Sequence, residues 1–232
     1  MPGSDENFKV LGRLGGVTAL LLLAYVLATM AILVGLGAPP ASAEETLEML
    51  RQNRLAGLLR LDMLTTLFMP LYYLLFFALY LALKKTHDLA AKAALLLGCA
   101  GVTLFLAAPA FVSWMALSDK FAAATSEAQK NLLLAAGESI FVTDLWHSST
   151  AFVGGLLLQA SLVLISLAML RSRAFSKWTA WLGVVTHGLD LAHIPLMLFL
   201  PSVGAALLMV GGTLYLAWFP LLARDFFRLA KE

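Results

Sequence analysis

Three polar residues interrupt an apolar stretch of the chain at "THGLDLAH", residues 186–193. His187, Asp190 and His193 follow one another at intervals of three, so on a helix they form a stripe about 120° wide that can face one cavity. Imidazole changes charge near neutral pH, and a neighbouring carboxyl group in a low dielectric couples to it. The stripe therefore predicts a site for a proton or a small polar ligand. Polar contact between helices is the structural alternative.

The same side chains are suitable ligands for zinc or iron, so a metal-dependent hydrolase embedded in the membrane is an alternative interpretation. Ligands at i, i+3 and i+6 rise about 9 Å along a helix, whereas the i, i+4 histidines of HExxH converge on one ion. A four-ligand site would need Asp144 or His147 to be brought down by helix tilt. A metal ion at His187, Asp190 and His193 is kept as a hypothesis on that condition.

Other cofactors and partners find less support in the residues. Haem between two helices needs histidines at one depth, but His147 lies roughly 14 Å above His193 by residue counting, and His87 falls in a loop. The chain has one cysteine, Cys99, so an intrachain disulfide is excluded. No phosphate-binding loop and no basic stretch interleaved with aromatics occurs, and nucleic acid is not an expected partner. The sequence identifies no cofactor.

The composition places these residues in a membrane. The chain has 232 residues, of which 61% are hydrophobic and 13% charged, and its mean hydropathy is +0.87, well above that of soluble domains. A transmembrane helix needs about 20 mainly apolar residues. Charged and Pro/Gly-rich breaks leave six such segments, at approximately 15–37, 61–83, 90–116, 142–170, 178–200 and 202–223. We expect one all-α domain over residues 1–232, a six-helix bundle in the cell membrane with the lipid bilayer as its partner.

Basic residues predict the orientation of the bundle. Of the 16 Lys and Arg residues, eleven fall before span 1, between spans 2 and 3, between spans 4 and 5, and after span 6. Because cytoplasmic loops carry the excess of Lys and Arg, both termini are expected in the cytoplasm. Tryptophans near the span ends are expected to anchor the helices at the two membrane surfaces. They are Trp114 and Trp146 on the outer side and Trp178, Trp181 and Trp218 on the inner side.

Residue counting brings further polar side chains to the depth of the stripe. Counted from Trp178, His187 lies about 13 Å and Asp190 about 18 Å along span 5. A carboxylate at the membrane centre costs about 2.5–3.5 kcal/mol on insertion scales, so it is expected to be paired and to face the interior. The expected neighbours are Gln159, Tyr72 and Tyr215, followed by Tyr25 and Tyr73. Together with the stripe, the first three form the predicted ligand or proton site.

A second polar group lies at the outer rim. In "TDLWHSS", Asp144 and His147 are three residues apart, and Arg60 and Asp62 fall at a similar level. We expect these four residues to form an outer ion-pair network, with an entrance to the deeper site as the alternative. Before them, Ser42 precedes Glu45 by three residues, which is the spacing of a helix-capping box.

One inner loop carries a family resemblance. The stretch "RSRAFSKWTAWLG", residues 171–183, resembles a bacterial six-span membrane family known only as a domain of unknown function (number forty-three eighty-six). The matching features are the short basic loop, Phe175, Trp178 and the Leu182-Gly183 pair within a six-span layout. The resemblance implies the six-span architecture and a location in the bacterial inner membrane. The family has no assigned activity, so it implies no site residue.

Three functions therefore remain open. The protein binds, transports or senses a small molecule, which includes a lipid, or a proton at the intramembrane site. Alternatively, it is a membrane-embedded metal-dependent hydrolase, or a structural or interaction subunit without a site. The residues do not specify whether the protein is an enzyme, nor its oligomeric state.

Overall fold

The computed structural model describes residues 3–145 and 147–231, and every element in that part of the chain is a helix. The all-α prediction is therefore confirmed. The helices are α1 (Gly3–Leu36), α2 (Ala43–Gln52), α3 (Arg54–Arg60), α4 (Met63–Phe68), α5 (Leu71–Leu106), α6 (Phe111–Ala122), α7 (Glu127–Phe141), α8 (Ser149–Leu170), α9 (Lys177–Phe199) and α10 (Pro201–Leu229).

In the part of the chain that the structure describes, five segments are long and apolar enough to cross a membrane, which makes the chain a multi-pass membrane protein. They are Lys9–Leu36, Met63–Ala122, Ser149–Leu170, Lys177–Phe199 and Pro201–Leu229. The second runs for 60 residues and folds back on itself within α5. His87 has non-helical backbone angles, and the hydroxyls of Tyr73 and Thr103 are 2.8 Å apart. A straight helix would hold these two residues about 45 Å apart, so α5 is a hairpin whose arms are residues 71–86 and 88–106.

Serine side chains cap the N-termini of several helices. Ser42 Oγ accepts a hydrogen bond from the backbone N–H of Glu45, as the capping-box spacing predicts. Ser148 caps α8 and Ser176 caps α9 in the same way. Because Ser148 caps this helix, α8 begins at Ser149 rather than near residue 142. The third predicted segment is likewise divided, since α5 ends at Leu106 and α6 begins after a proline at position 109.

The long helices pack in a closed ring, in the order α1, α10, α9, α8, α5 and back to α1. Small residues allow the closest of these contacts. A Cβ atom added to Gly101 would lie 2.6 Å from the backbone N of Leu158, and one added to Gly154 would lie 2.8 Å from that of Phe105. The α5 and α8 backbones therefore touch directly, as is typical of helix pairs in membranes.

The two ends of the bundle differ. A large apolar core runs through the bundle from the terminal end, where α1 begins and α10 ends, to Met69 and Tyr72. At the opposite, cap end, α2, α6 and α7 enclose a second core that contains Trp114. Trp114 is therefore a core residue rather than the predicted surface anchor. Trp178 and Trp181 are 80% and 57% exposed, as anchors would be, and Trp146 lies outside the described residues.

Candidate functional site

Helix α9 turns the predicted stripe toward the interior of the bundle. His187 is completely buried and Asp190 is 4% exposed, because α9 packs against both α8 and α10 along this face. His193, two turns beyond His187, has a side chain that is 17% exposed. The stripe therefore runs from a closed interior position at His187 toward a more open one at His193.

Two neighbouring helices complete a hydrogen-bonded group that we call the polar quartet: Gln159 of α8, His187 and Asp190 of α9, and Tyr215 of α10. The Tyr215 hydroxyl donates to Asp190 Oδ2 at 2.6 Å, and the Gln159 amide donates to the same oxygen at 3.3 Å. His187 Nδ1 lies 3.0 Å from Gln159 Oε1 and 3.2 Å from the Tyr215 hydroxyl oxygen. A neutral imidazole with its proton on Nδ1 satisfies all of these contacts.

The second oxygen of Asp190 lies on a different surface. Asp190 Oδ1 lies 3.8 Å from His193 Nδ1, and neither atom has a hydrogen-bond partner among the described residues. A Cβ atom added to Gly211 would lie 2.6 Å from Oδ1, so the carboxyl group rests on bare backbone of α10. In the described part of the chain, His193 is the one basic side chain that pairs with Asp190.

Aromatic rings surround the quartet. The rings of His187 and Trp218 are 4.4 Å apart and nearly perpendicular, and Trp218 is completely buried. The prediction that Trp218 anchors the bundle at the membrane surface is therefore wrong. Its position three residues after Tyr215, which puts both side chains on one face of α10, is the sequence signal for its real location. Tyr72 is also buried, and it lies within the range of electrostatic interaction with Asp190 and Tyr215.

The other two tyrosines expected near Asp190 have partners elsewhere. The Tyr25 hydroxyl bonds to Thr65, and Tyr73 bonds to Thr103. The structure thus brings Gln159 and Tyr215 into direct contact with the stripe and leaves Tyr25 and Tyr73 outside the quartet.

The four outer-rim residues are divided between separate contacts. Arg60 donates to a backbone carbonyl oxygen at residue 38 and pairs with Glu45 at 3.4 Å. Asp144 Oδ1 lies 2.8 Å from His147 Nδ1. Asp62 accepts hydrogen bonds from the backbone N–H groups of residues 110 and 111, at 2.6 and 3.2 Å. The carboxylate of Asp62 therefore caps α6, whose own N-cap residue, Ala110, has no polar side chain.

Burial raises the pKa of the Asp62 carboxyl group, although the two backbone donors act in the opposite direction. Nearby, Asp144 and His147 border a cavity of about 420 Å³. Its lining is completed by Pro39, Pro40, Ala41, Thr46, Leu61 and Phe141. This cavity is on the cap end, apart from the polar quartet.

A metal centre needs at least three ligands that converge on one point. Over residues 3–145 and 147–231, no group of three His, Cys, Asp or Glu side chains has that arrangement. His187 directs its Nδ1 to Gln159 and Tyr215, so it does not share an ion with Asp190 through that atom. The geometry therefore gives the metal-dependent hydrolase no support.

The fold and the quartet define a helical multi-pass membrane protein with a buried His/Asp/Tyr polar network. Comparison with known proteins adds no relative: no family model, no curated protein and no solved structure matches the chain. The resemblance of residues 171–183 to an uncharacterised six-span family stays a prediction.

Proposed function

We propose that the protein binds a proton at Asp190, and that the binding, transport or sensing of a small molecule at the polar quartet is linked to that proton. The observation that carries the proposal is a buried carboxyl group whose basic partner is a single histidine, His193. A charge removed from water is costly unless it is fully paired, and the cost is relieved when the group takes up a proton.

The two carboxyl oxygens of Asp190 have different roles in this proposal. Oδ2 receives two hydrogen bonds, from Tyr215 and Gln159, which hold the group in place. Oδ1 has no donor and faces His193. A proton on Oδ1 or on His193 Nδ1, 3.8 Å away, turns one of these two unpartnered acceptors into a donor. The pair therefore accommodates one proton and can exchange it as the surroundings change.

A purely structural role is the second candidate, because the quartet also joins α8, α9 and α10. Interhelical polar contacts of this kind stabilise membrane bundles. The unpartnered atoms favour the proton site, since a structural network would be expected to satisfy its buried polar groups. In the described region these atoms include Asp190 Oδ1, His193 Nδ1 and His187 Nε2.

Infrared difference spectroscopy in lipid nanodiscs tests the proposal, with the proton itself as the probe. Titration of the wild type should produce a protonated-carboxyl band, and Asp190→Asn should remove it. Asp119→Asn is the matched control, because Asp119 is an exposed carboxylate of the cap end paired with Arg54. If Asp190→Asn keeps every pH-dependent band and only lowers stability, the structural role is correct and the proton site is refuted.

The topology is part of the same proposal: six membrane crossings with both termini in the cytoplasm, in the bacterial inner membrane. The fold-back of α5 at His87 supports two crossings within the 60-residue segment. The distribution of Lys and Arg supports the orientation. In a Cys99→Ser background, an impermeant maleimide added to intact cells should label Ala128→Cys but not Lys85→Cys. The reverse pattern would invert the orientation.

A further inference from the structure

Helix α9 carries polar groups beyond the quartet, toward the terminal end. Thr179, Gly183 and His187 follow one another at intervals of four and therefore share one face of the helix. All three are buried. At the far end of this face, the Thr179 hydroxyl donates to Asp225 Oδ2 at 2.6 Å, and Asp225 pairs with Arg224, which is more than half exposed. The face thus runs from the quartet to a charged rim that contacts water.

Gly183 lies in the middle of this face, beneath two polar side chains. A Cβ atom at Gly183 would lie 2.5 Å from Ser166 Oγ and 2.6 Å from Trp218 Nε1. These two atoms therefore lie close together over the bare backbone of α9. The Trp218 ring also contacts His187, with 4.4 Å between ring centres. Ser166 and Trp218 thus meet over Gly183, and the Trp218 ring extends from there to His187.

The polar atoms of this cluster have no protein partners in the described chain. Ser166 Oγ, Trp218 Nε1 and His187 Nε2 are all buried and form no hydrogen bond with any described residue. Buried polar groups are rarely left unsatisfied, and an internal water usually makes about three hydrogen bonds to such groups. The chemistry matches one water molecule, which can accept from the indole N–H, donate to His187 Nε2 and bond to the serine hydroxyl.

We propose that Ser166, Gly183, His187 and Trp218 form a water-binding site, and that His187 passes protons between this water and Asp190. The relay rests on the proposed proton site at Asp190. A hydronium ion at the water site gives one proton to His187 Nε2. The Nδ1 proton moves to the Tyr215 oxygen, 3.2 Å away, and the Tyr215 hydroxyl proton moves to Asp190 Oδ2, 2.6 Å away. Water, the other neutral imidazole tautomer, tyrosine and an Asp190 carboxyl group protonated on Oδ2 remain. The proton then reaches the His193 side when the carboxyl group presents it at Oδ1, the oxygen that faces His193.

The surroundings of His187 hold few other ionisable groups. Helix α8 contributes Gln159 and Ser166, which do not titrate near neutral pH. Helix α10 contributes Tyr215, and α5 contributes Tyr72, which lies near Asp190 and Tyr215. On α9 itself, Asp190 and His193 complete the set among the residues that the structure describes. The water site lies on the terminal side of the quartet. Protons that reach Asp190 through this relay therefore come from the terminal end of the bundle.

Water-edited solid-state NMR of ¹⁵N-histidine-labelled protein in lipid bilayers tests the site. The chain has four histidines, and His187→Gln identifies the signal of interest. We expect magnetisation from water to reach His187 Nε2 in the wild type. Gly183→Ala should reduce this transfer severalfold, because its methyl group would lie 2.5 Å from Ser166 Oγ and 2.6 Å from Trp218 Nε1 and would displace these two atoms from the site. Gly188→Ala should preserve it, since no atom lies within 4 Å of a Cβ at Gly188.

Two milder variants keep the test decisive if Gly183→Ala does not fold. Ser166→Ala and Trp218→Phe each remove one polar atom from the site, and each should lower the transfer to His187. The inference is overturned if His187 receives no water signal in the wild type, or if neither variant changes that signal. The Asp190 carboxyl band is a separate measurement. A dry His187 beside a titrating Asp190 therefore refutes the water site alone, whereas a missing Asp190 band refutes the proposed proton site.

Discussion

The hydrogen bond from Tyr215 to Asp190 makes a quantitative prediction. Tyr215→Phe removes the 2.6 Å bond to Asp190 Oδ2 and leaves that oxygen with the Gln159 amide at 3.3 Å. A hydrogen bond to a charged group contributes about 1.5–3 kcal/mol in soluble proteins. Interhelical bonds within a membrane average about 0.6 kcal/mol and reach about 1.7. For a short bond in a buried site we expect a loss of about 1–2 kcal/mol.

Reversible unfolding in mixed lipid and SDS micelles measures this loss. Tyr80→Phe is the control, because the Tyr80 hydroxyl makes no hydrogen bond to the described residues and its ring remains available to Lys84. A double-mutant cycle of Tyr215→Phe with Asp190→Ala, which removes the acceptor, should give a coupling energy of at least about 0.5 kcal/mol. If Tyr215→Phe costs no more than Tyr80→Phe, and the coupling is below about 0.3 kcal/mol, the quartet does not have this bond.

Three further predictions concern packing, a buried ion pair and pH. Gly154→Ala should lower stability by about 1–3 kcal/mol, since its Cβ would meet the α5 backbone. Gly212→Ala is the control, because a Cβ at Gly212 has nothing within 4 Å, and it should be neutral or stabilise by up to about 1 kcal/mol. Asp225→Ala should cost about 2 kcal/mol in thermal unfolding, because it leaves the Thr179 hydroxyl without its acceptor. Burial raises the pKa of the Asp62 carboxyl group above its value in the unfolded chain. The contribution of Asp62 to stability is therefore greatest at low pH, and it is lost as the pH rises from the pKa of the unfolded chain to the pKa of the folded protein. Asp62→Asn should remove that part of the pH dependence of Tm.

Each of these has an outcome that would contradict it. Equal stabilities of the Gly154→Ala and Gly212→Ala variants would show that α5 and α8 do not touch. An unchanged Tm in Asp225→Ala would show that the Asp225 contacts add no stability. A Tm for Asp62→Asn that follows the wild type at every pH would assign the titration to another group.

Local helical geometry explains why much of the site could be predicted. Each residue adds a constant rise and rotation, so spacing alone placed His187 and Asp190 on one face of α9 and brought Gln159 and Tyr215 to the depth of Asp190. The Ser42 cap was predictable for the same reason, since it depends on residues three positions apart. Composition was sufficient to identify a membrane protein, because the cost of burying polar groups in lipid acts on every segment.

Contacts between helices depend on how the backbones pack, and that is not a local property. Trp218 has the residue type and the sequence position of a surface anchor, but Gly183 leaves room for its indole ring against α9. Trp114 enters the core of the cap because α2 and α7 fold over it. The outer-rim charges could have paired in several ways at one depth. Their actual partners depend on the ends of helices near Pro109 and Ser148, where the chain changes direction. Spacing along a single helix carries no information about those directions.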